Sequence, residues 1–183
     1  MRVIAGAAKG IRLAPVPRGV RPVSDMAREG LFSSLGSLVA GARVLDLYAG
    51  TGALAIEALS RGAESAVLVE RSRPAIRAIR SNLDRARVTI SATVVPSDVH
   101  RFLMRDDKSG GSFDLVFADP PYETNGDEVS EALARLDDGW LAERCTVVLT
   151  RPSKSSTHVI PVDWPIARRL VYGDTLVLVF DRR

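Results

Sequence analysis

Residues 43–52, Arg-Val-Leu-Asp-Leu-Tyr-Ala-Gly-Thr-Gly, constrain the fold of this chain more than any other stretch. An apolar run of Val44, Leu45 and Leu47 carries one carboxylate, Asp46, and then breaks at Gly50-Thr51-Gly52 before a helical pattern from Ala53 to Leu59. A short buried strand, a glycine turn and a helix together form the ligand-binding corner of an open α/β sheet. Glycines let the backbone approach a ligand where a Cβ would collide, and the first amides of the following helix point toward it. On this pattern Gly50 and Gly52 are both candidate ligand contacts.

Two cofactor classes compete for the turn. Gly50, Gly52 and Ala55 satisfy a loose dinucleotide pattern, and Glu70, 18 residues after Gly52 at the end of the apolar run 66–69, stands where a ribose-binding acid belongs. Asp46 weighs against a dinucleotide, because a carboxylate aimed at a pyrophosphate repels it. The same carboxylate suits the ammonium and sulfonium of S-adenosylmethionine. Length points the same way, since 183 residues leave no room for the separate substrate domain of a dehydrogenase. A composition 46% hydrophobic is ample for one core.

Other classes drop out on composition. No apolar run reaches the roughly 18 residues a membrane span needs, and the first residues lack a signal-peptide core, so a cytoplasmic protein is expected. Cys145, the single cysteine, lies in an apolar run and reads as a buried structural thiol. His100 and His158 make no ligand spacing with it, and no metal is expected. The net charge of +3 is unevenly divided: residues 1–28 carry Arg2, Lys9, Arg12, Arg18, Arg21 and Arg28 against Asp25 alone, while the remainder is slightly acidic. Cations spaced among glycine, proline and apolar residues suggest an ordered surface that meets phosphates, with Arg2, Lys9, Arg12, Arg21 and Arg28 as candidate RNA contacts.

Along the chain, residues 3–5 and 11–13 around a glycine turn read as a β-hairpin, and a helix capped by Ser24 is expected over 26–38. Residues 1–40 thus form a basic arm and leading helix ahead of a cofactor domain, 41–183. Strands are expected at 43–48, 65–70, 90–95, 113–118 and 144–150, with helices at 52–61, 73–85, 98–105 and 126–137. That alternation predicts a parallel doubly wound sheet. The apolar runs 166–172 and 175–180 flank Gly173-Asp174 and read as a closing hairpin. A mostly parallel sheet of seven strands with an antiparallel last strand resembles the Rossmann-like class I S-adenosylmethionine-dependent methyltransferases.

The run Phe113–Ala118 leads into Asp119-Pro120-Pro121-Tyr122. Ligands bind outside the carboxyl ends of such strands, which sets this tetrapeptide beside the glycine turn. Two prolines fix φ and remove two amide donors, leaving an aspartate, carbonyls and an aromatic ring on a rigid surface. A flat ring bearing an exocyclic amine fits it: the Asp119 carboxylate and the Pro120 carbonyl accept from the NH₂, and Tyr122 stacks on the base. Such acceptors favour the positive charge that develops on nitrogen as it attacks a methyl group.

The tetrapeptide resembles the Asn/Asp-Pro-Pro-Tyr motif of amino-group methyltransferases acting on adenine N6, guanine N2 or a protein glutamine amide. The whole chain resembles the RsmD family of 16S ribosomal RNA guanine-N2 methyltransferases. The resemblance runs through residues 2–6 with Lys9-Gly10, Arg21-Pro22, Ser24-Asp25, Arg28-Glu29 and Leu31-Phe32, then 46–52 and 119–122. Val23, Met26 and Gly30 depart from the family's usual threonine, arginine and alanine. The resemblance implies that Asp46, Gly50 and Gly52 line the methionine end of the cofactor, that Tyr48 is a further cofactor contact, and that Glu70 holds the ribose. It also implies that Asp98 and Val99 face the adenine, and that Asp119, Pro120 and Tyr122 carry the transfer. Helix capping is the other role open to Asp98. The implied substrate is 16S rRNA within the 30S subunit or an assembly intermediate, acted on by a monomer. The rival enzymes are a DNA adenine-N6 or a protein-glutamine methyltransferase, and an RNA-docking module without activity is the non-enzymatic alternative.

Overall fold

A computed structural model of the chain describes residues 1–16, 23–106, 108, 112–154 and 164–182. Its elements are α1 (Asp25–Leu35), β1 (Arg43–Leu47), α2 (Ala53–Ser60), β2 (Ser65–Glu70), α3 (Arg73–Ala86), β3 (Ala92–Pro96) and α4 (Val99–Leu103). There follow β4 (Phe113–Ala118), α5 (Gly126–Leu136), β5 (Leu141–Pro152), β6 (Ile166–Tyr172) and β7 (Thr175–Arg182). The strands make one sheet of order β3-β2-β1-β4-β5-β7-β6. β1 to β5 run parallel, and β7 inserts antiparallel between β5 and β6. This is the expected architecture.

Side-chain alternation sorts the core into two layers. Val44, Leu115 and Phe117 pack toward α1, α2 and α3 on one face of the sheet. Leu45, Leu47 and Val116 pack toward α4 and α5 on the other. Central parallel strands covered on both faces must be apolar throughout, which is why β1 and β4 read as continuous hydrophobic runs. Asp46 is the buried exception in β1. Cys145 is buried and free, as expected.

Several boundaries move for local reasons. Ser24 caps α1 through the Ala27 amide, as expected, but the helix stops at Leu35 because Gly36 turns to φ 54°. A 3₁₀ turn over Gly36–Leu38 takes up the remainder. A second 3₁₀ turn, Thr89–Ser91, occupies the expected start of β3. Gly30 departs from alanine for a visible reason: a Cβ there would lie 2.1 Å from the Tyr172 hydroxyl of β6.

The expected N-terminal hairpin is present but short: an antiparallel bridge joins Arg2 and Arg12, Val3 donates to the Ile11 carbonyl at 3.0 Å, Gly10 to the Val3 carbonyl at 2.9 Å and Leu13 to the Met1 carbonyl at 3.2 Å. Four amides nearer its turn bond to α2. Ile4 and Ala5 donate to the two Glu57 carboxylate oxygens at 2.8 and 3.0 Å, Ala7 to the Ser60 carbonyl at 2.7 Å and Ala8 to Ser60 Oγ at 2.9 Å. Val3, Ala8 and Leu13 are buried in the same layer as α1 to α3.

Arg28, expected at an RNA or cofactor surface, is wholly buried. Its Nη2 donates to the Arg2 carbonyl and to Asp25 Oδ1, each at 2.6 Å, and its Nη1 lies 3.8 Å from Glu57 Oε2. It therefore ties α1 and the arm to α2 and does not meet solvent. Arg21 and Arg18 lie outside the described residues. Arg2, Lys9 and Arg12 are exposed.

Removing one member of a buried ion pair leaves the other uncompensated, at a cost of about 3–5 kcal/mol. Glu57→Ala leaves the buried Arg28 guanidinium with Asp25 as its remaining carboxylate and strands two arm amides. It is expected to lower unfolding free energy by about that amount and to speed tryptic cleavage at Lys9 and Arg12. Chemical denaturation and limited proteolysis, compared with Glu57→Gln, check both effects.

Candidate active site

The site is built where β1 and β4 end side by side. Their register pairs Val44 with Leu115 and Leu47 with Ala118, and the Asp119 amide reaches the Leu47 carbonyl. β1 then turns sharply: Tyr48 sits at φ 61°, an uncommon region for a residue with a Cβ, and Gly50 follows at φ 57°. Backbone strain of this kind persists only where the surroundings enforce it, and it gathers at ligand sites. Here the Ala49 amide bonds the Val69 carbonyl at 3.0 Å and the Gly50 amide donates to Glu70 Oε2 at 2.8 Å, so β2 holds the turn open.

A cavity of about 710 Å³ opens over these strand ends. It brings together Asp46, Tyr48, Gly50, Glu70, Asp98, Val99, Asp119, Pro120 and Tyr122 from the expected site. Gly52 is absent from the lining. It sits at φ 76° as the N-cap of α2, where a Cβ would come within 3.0 Å of Leu68 and 3.4 Å of Ile79. Its positive φ and the close packing against Leu68 both favour glycine here.

Each acid has a defined setting. Asp46 is 1% exposed and accepts from the Ala55 amide of α2 at 3.2 Å. Burial, with smaller contributions from Asp119 and Glu70, pushes its carboxyl up to about 8, against the lowering effect of the Ala55 bond. Glu70 also accepts from the Ser72 amide at 2.8 Å, and each of its oxygens keeps a further lone pair. Asp98 caps α4 through the His100 amide at 3.0 Å and pairs with Arg71 at 3.2 Å while lining the cavity, so the capping role and a place in the site coexist. Burial raises the Tyr48 phenol to about 12, so it stays protonated.

Two residues escaped the sequence reading. Thr150, buried on β5, donates its hydroxyl to Asp119 Oδ1 and fixes that carboxylate at the strand end. Asn82, fully buried on α3, donates to the Thr51 carbonyl at 2.9 Å and accepts from the Ala14 amide at 2.6 Å, linking the glycine turn to the arm. A polar residue on the core face of an otherwise apolar helix was the signal for Asn82. Thr150, one of many strand threonines, gave none.

The lining tests the ligand. Seven carboxylates, those of Asp46, Glu70, Asp98, Asp119, Glu123, Glu128 and Glu131, face one arginine and one histidine, Arg71 and His100. Such a cavity rejects a pyrophosphate and accepts a cation, which fits the sulfonium and ammonium of S-adenosylmethionine. Among the described residues, no group of three or more His, Cys, Asp or Glu is arranged to hold a metal ion, and no helix is long and apolar enough to cross a membrane.

A family model described as conserved hypothetical protein 95 matches residues 1–181. YlbH of Bacillus subtilis (strain 168), provisionally named an rRNA methyltransferase, is 36% identical over 186 residues, covering all of both chains. Ribosomal RNA small subunit methyltransferase D of Escherichia coli (strain K12) is 34% identical over 185 residues, covering 100% of this chain and 90% of that one. A solved Escherichia coli structure with 33% identity superposes at a TM-score of 0.85 over 100% of this chain and 98% of its own.

The Asp46 shift has a signed consequence. A cation binding beside Asp46 must displace its proton below about pH 8. Affinity for S-adenosylmethionine is therefore expected to rise as pH increases from 6 toward 8, by at most about tenfold per unit, and to flatten above. Calorimetric titration in buffers of different ionisation enthalpy checks this, and Asp46→Asn is expected to remove both the slope and the proton release. Because the folded state holds a proton the unfolded chain has released, ligand-free protein is expected to lose stability as pH rises from about 4 to about 8.

Proposed function

The chain belongs to the RsmD family, the class I methyltransferases of the conserved hypothetical protein 95 model, and from that premise we propose that it methylates the exocyclic N2 of one guanine in 16S rRNA. S-adenosylmethionine is the methyl donor and small-subunit rRNA the substrate. The observation that carries the amino-group assignment is the anchored acceptor at the strand end: Asp119, held by Thr150, beside Pro120 and Tyr122 at the wall of an acid-lined cavity; the choice of guanine rests on the resemblance to the RsmD family.

Bound in the cavity, the cofactor supplies an electrophilic methyl group on a sulfonium. Asp46 would neutralise positive charge at its methionine end, Glu70 would accept from the ribose hydroxyls, and Asp98 and Val99 would face the adenine. The Asp119 carboxylate and the Pro120 carbonyl accept the two N–H bonds of the guanine amine, aligning its lone pair with the methyl group. Tyr122 stacks on the base that has been drawn out of the RNA. As the N–C bond forms and the S–C bond breaks, charge grows on the nitrogen, and the nearby carboxylate stabilises it. One amine proton then leaves along its bond to Asp119. Residues 41–183 carry this chemistry, and residues 1–40 grip the substrate with Arg2, Lys9 and Arg12 on their exposed surface.

Tritium transfer from labelled S-adenosylmethionine to 30S particles from cells lacking the modification, followed by nuclease digestion, tests the proposal. Label is expected in N2-methylguanosine. Asp119→Ala abolishes it; Tyr122→Ala lowers kcat at least tenfold with cofactor affinity within about twofold. Label in adenosine or in protein overturns the guanine assignment, and cofactor binding with no transfer leaves an RNA-docking module.

Thr150→Val keeps volume and removes one hydrogen bond to Asp119. It is expected to lower kcat about tenfold, the kinetic equivalent of about 1.4 kcal/mol, without changing cofactor affinity. Single-turnover transfer at saturating cofactor measures it.

A further inference from the structure

Basic charge is concentrated a second time, away from the arm. Between Arg71 and Arg87 the chain carries six arginines against one acid, Asp84. Three of the six, Arg73, Arg77 and Arg80, lie on α3 at i, i+4 and i+7, which confines them to an arc of about 60° and a length of about 10 Å. All three are exposed, opposite the buried Ala75, Ile79, Asn82 and Leu83. None of them has an ion-pair partner among the described residues.

A helix face that only meets water does not require this arrangement. Like charges at i, i+4 repel, and solvated faces ordinarily alternate sign. On α5 the one arginine is paired: Arg135 lies 3.5 Å from Glu131 and 3.8 Å from Asp138, just past the helix end. α3 instead keeps one sign over its first two turns, with planar guanidinium groups suited to bidentate contact with phosphate, and the one acid of the stripe, Asp84, follows at i+4 from Arg80 and accepts from the Thr89 hydroxyl.

Position gives the ridge a role. α3 packs on the same face of the sheet as the arm, whereas α4 and α5 cover the other face. Its N-terminal end starts at the cavity rim, where Arg71 and Ser72 contribute to the lining. Near its other end, Asn82 takes the Ala14 amide of the arm. The cavity wall is acidic, so a base can enter it but the phosphates flanking that base are repelled from it. Their counter-charge has to lie outside the cavity, and α3 provides it between the rim and the arm.

We infer that Arg73, Arg77 and Arg80 form a second RNA-contact surface that holds substrate phosphates between the methyl-transfer cavity and the N-terminal arm. This rests on the rRNA methyltransferase function proposed above. The ridge positions the strand and touches neither the cofactor nor the reacting amine, so it contributes to substrate affinity and its salt dependence and leaves the chemical step alone.

The test compares wild type, the triple variant Arg73→Gln/Arg77→Gln/Arg80→Gln and a charge-matched control, Arg105→Gln/Lys108→Gln/Arg144→Gln. Tritium transfer to 30S particles lacking the modification is measured over a range of KCl. Cofactor affinity and melting temperature are recorded alongside. The triple variant is expected to raise KM for the particles at least tenfold, with kcat and cofactor affinity within twofold. Each lost phosphate contact is expected to reduce the slope of log(kcat/KM) against log[KCl] by about 0.7–0.9. The three single arginine variants each reproduce one such step, which preserves the test if the triple variant folds poorly. An unchanged KM and slope, or an equal loss in the control, overturns the ridge and leaves the methyltransferase intact. Wild type that labels no RNA removes the function itself, and the ridge with it.

Discussion

The register between β1 and β4 is the constraint on which the site depends. Parallel pairing of Leu47 with Ala118 carries the two chains out of the sheet at the same height, so that Asp46 and Asp119 meet across one cavity wall. A slip of one residue in either strand would turn its apolar set to the wrong layer. The two core layers therefore hold the register with far more hydrophobic burial than the acids could oppose. That surplus is what allows Asp46 to be buried beside two other carboxylates. The site is electrostatically unfavourable when empty of cations, and the fold bears the cost.

Local chemistry made much of this legible. Strand, glycine turn and helix followed one another at 43–60, the Asp-Pro-Pro-Tyr run ended the fourth strand, and Gly173-Asp174 closed the last hairpin. Each is decided by neighbours in sequence, where period and turn chemistry act directly. The N-terminal hairpin was legible, but its docking on α2 was not, because the partners are distant in sequence. Ile4 and Ala5 bond to a carboxylate more than fifty residues away, and no local pattern announces that contact. Arg28 misled for a related reason: a basic residue in a basic segment reads as surface, and its inward partners include the Arg2 carbonyl and Glu57, both distant in sequence.

Gly52 and Gly30 show packing demands that sequence alone does not display. Gly52 was legible as a position needing a glycine; it takes a positive φ, and a Cβ there would also press on Leu68 and Ile79. At Gly30 an alanine would favour the helix by about 1 kcal/mol, but its Cβ would meet the end of the Tyr172 side chain, which would have to shift.

Charge supplies the last step. Divided at residue 28, the chain looks like a basic arm on a mildly acidic body, and that division conceals two opposed features within the body. The cavity gathers seven carboxylates and the exposed face of α3 gathers three arginines, a separation in space that the small net charge of residues 29–183 as a whole does not reveal. An enzyme that takes a cationic cofactor and a polyanionic substrate into adjoining sites needs this separation. An acidic cavity holds the sulfonium and admits a neutral base, whereas the backbone bearing that base is drawn to cations beyond the rim. The distance between the two charge sets then selects a nucleotide that can leave its stack and reach inward. Accessibility of the base within folded RNA becomes part of specificity, alongside the hydrogen bonds it makes once inside.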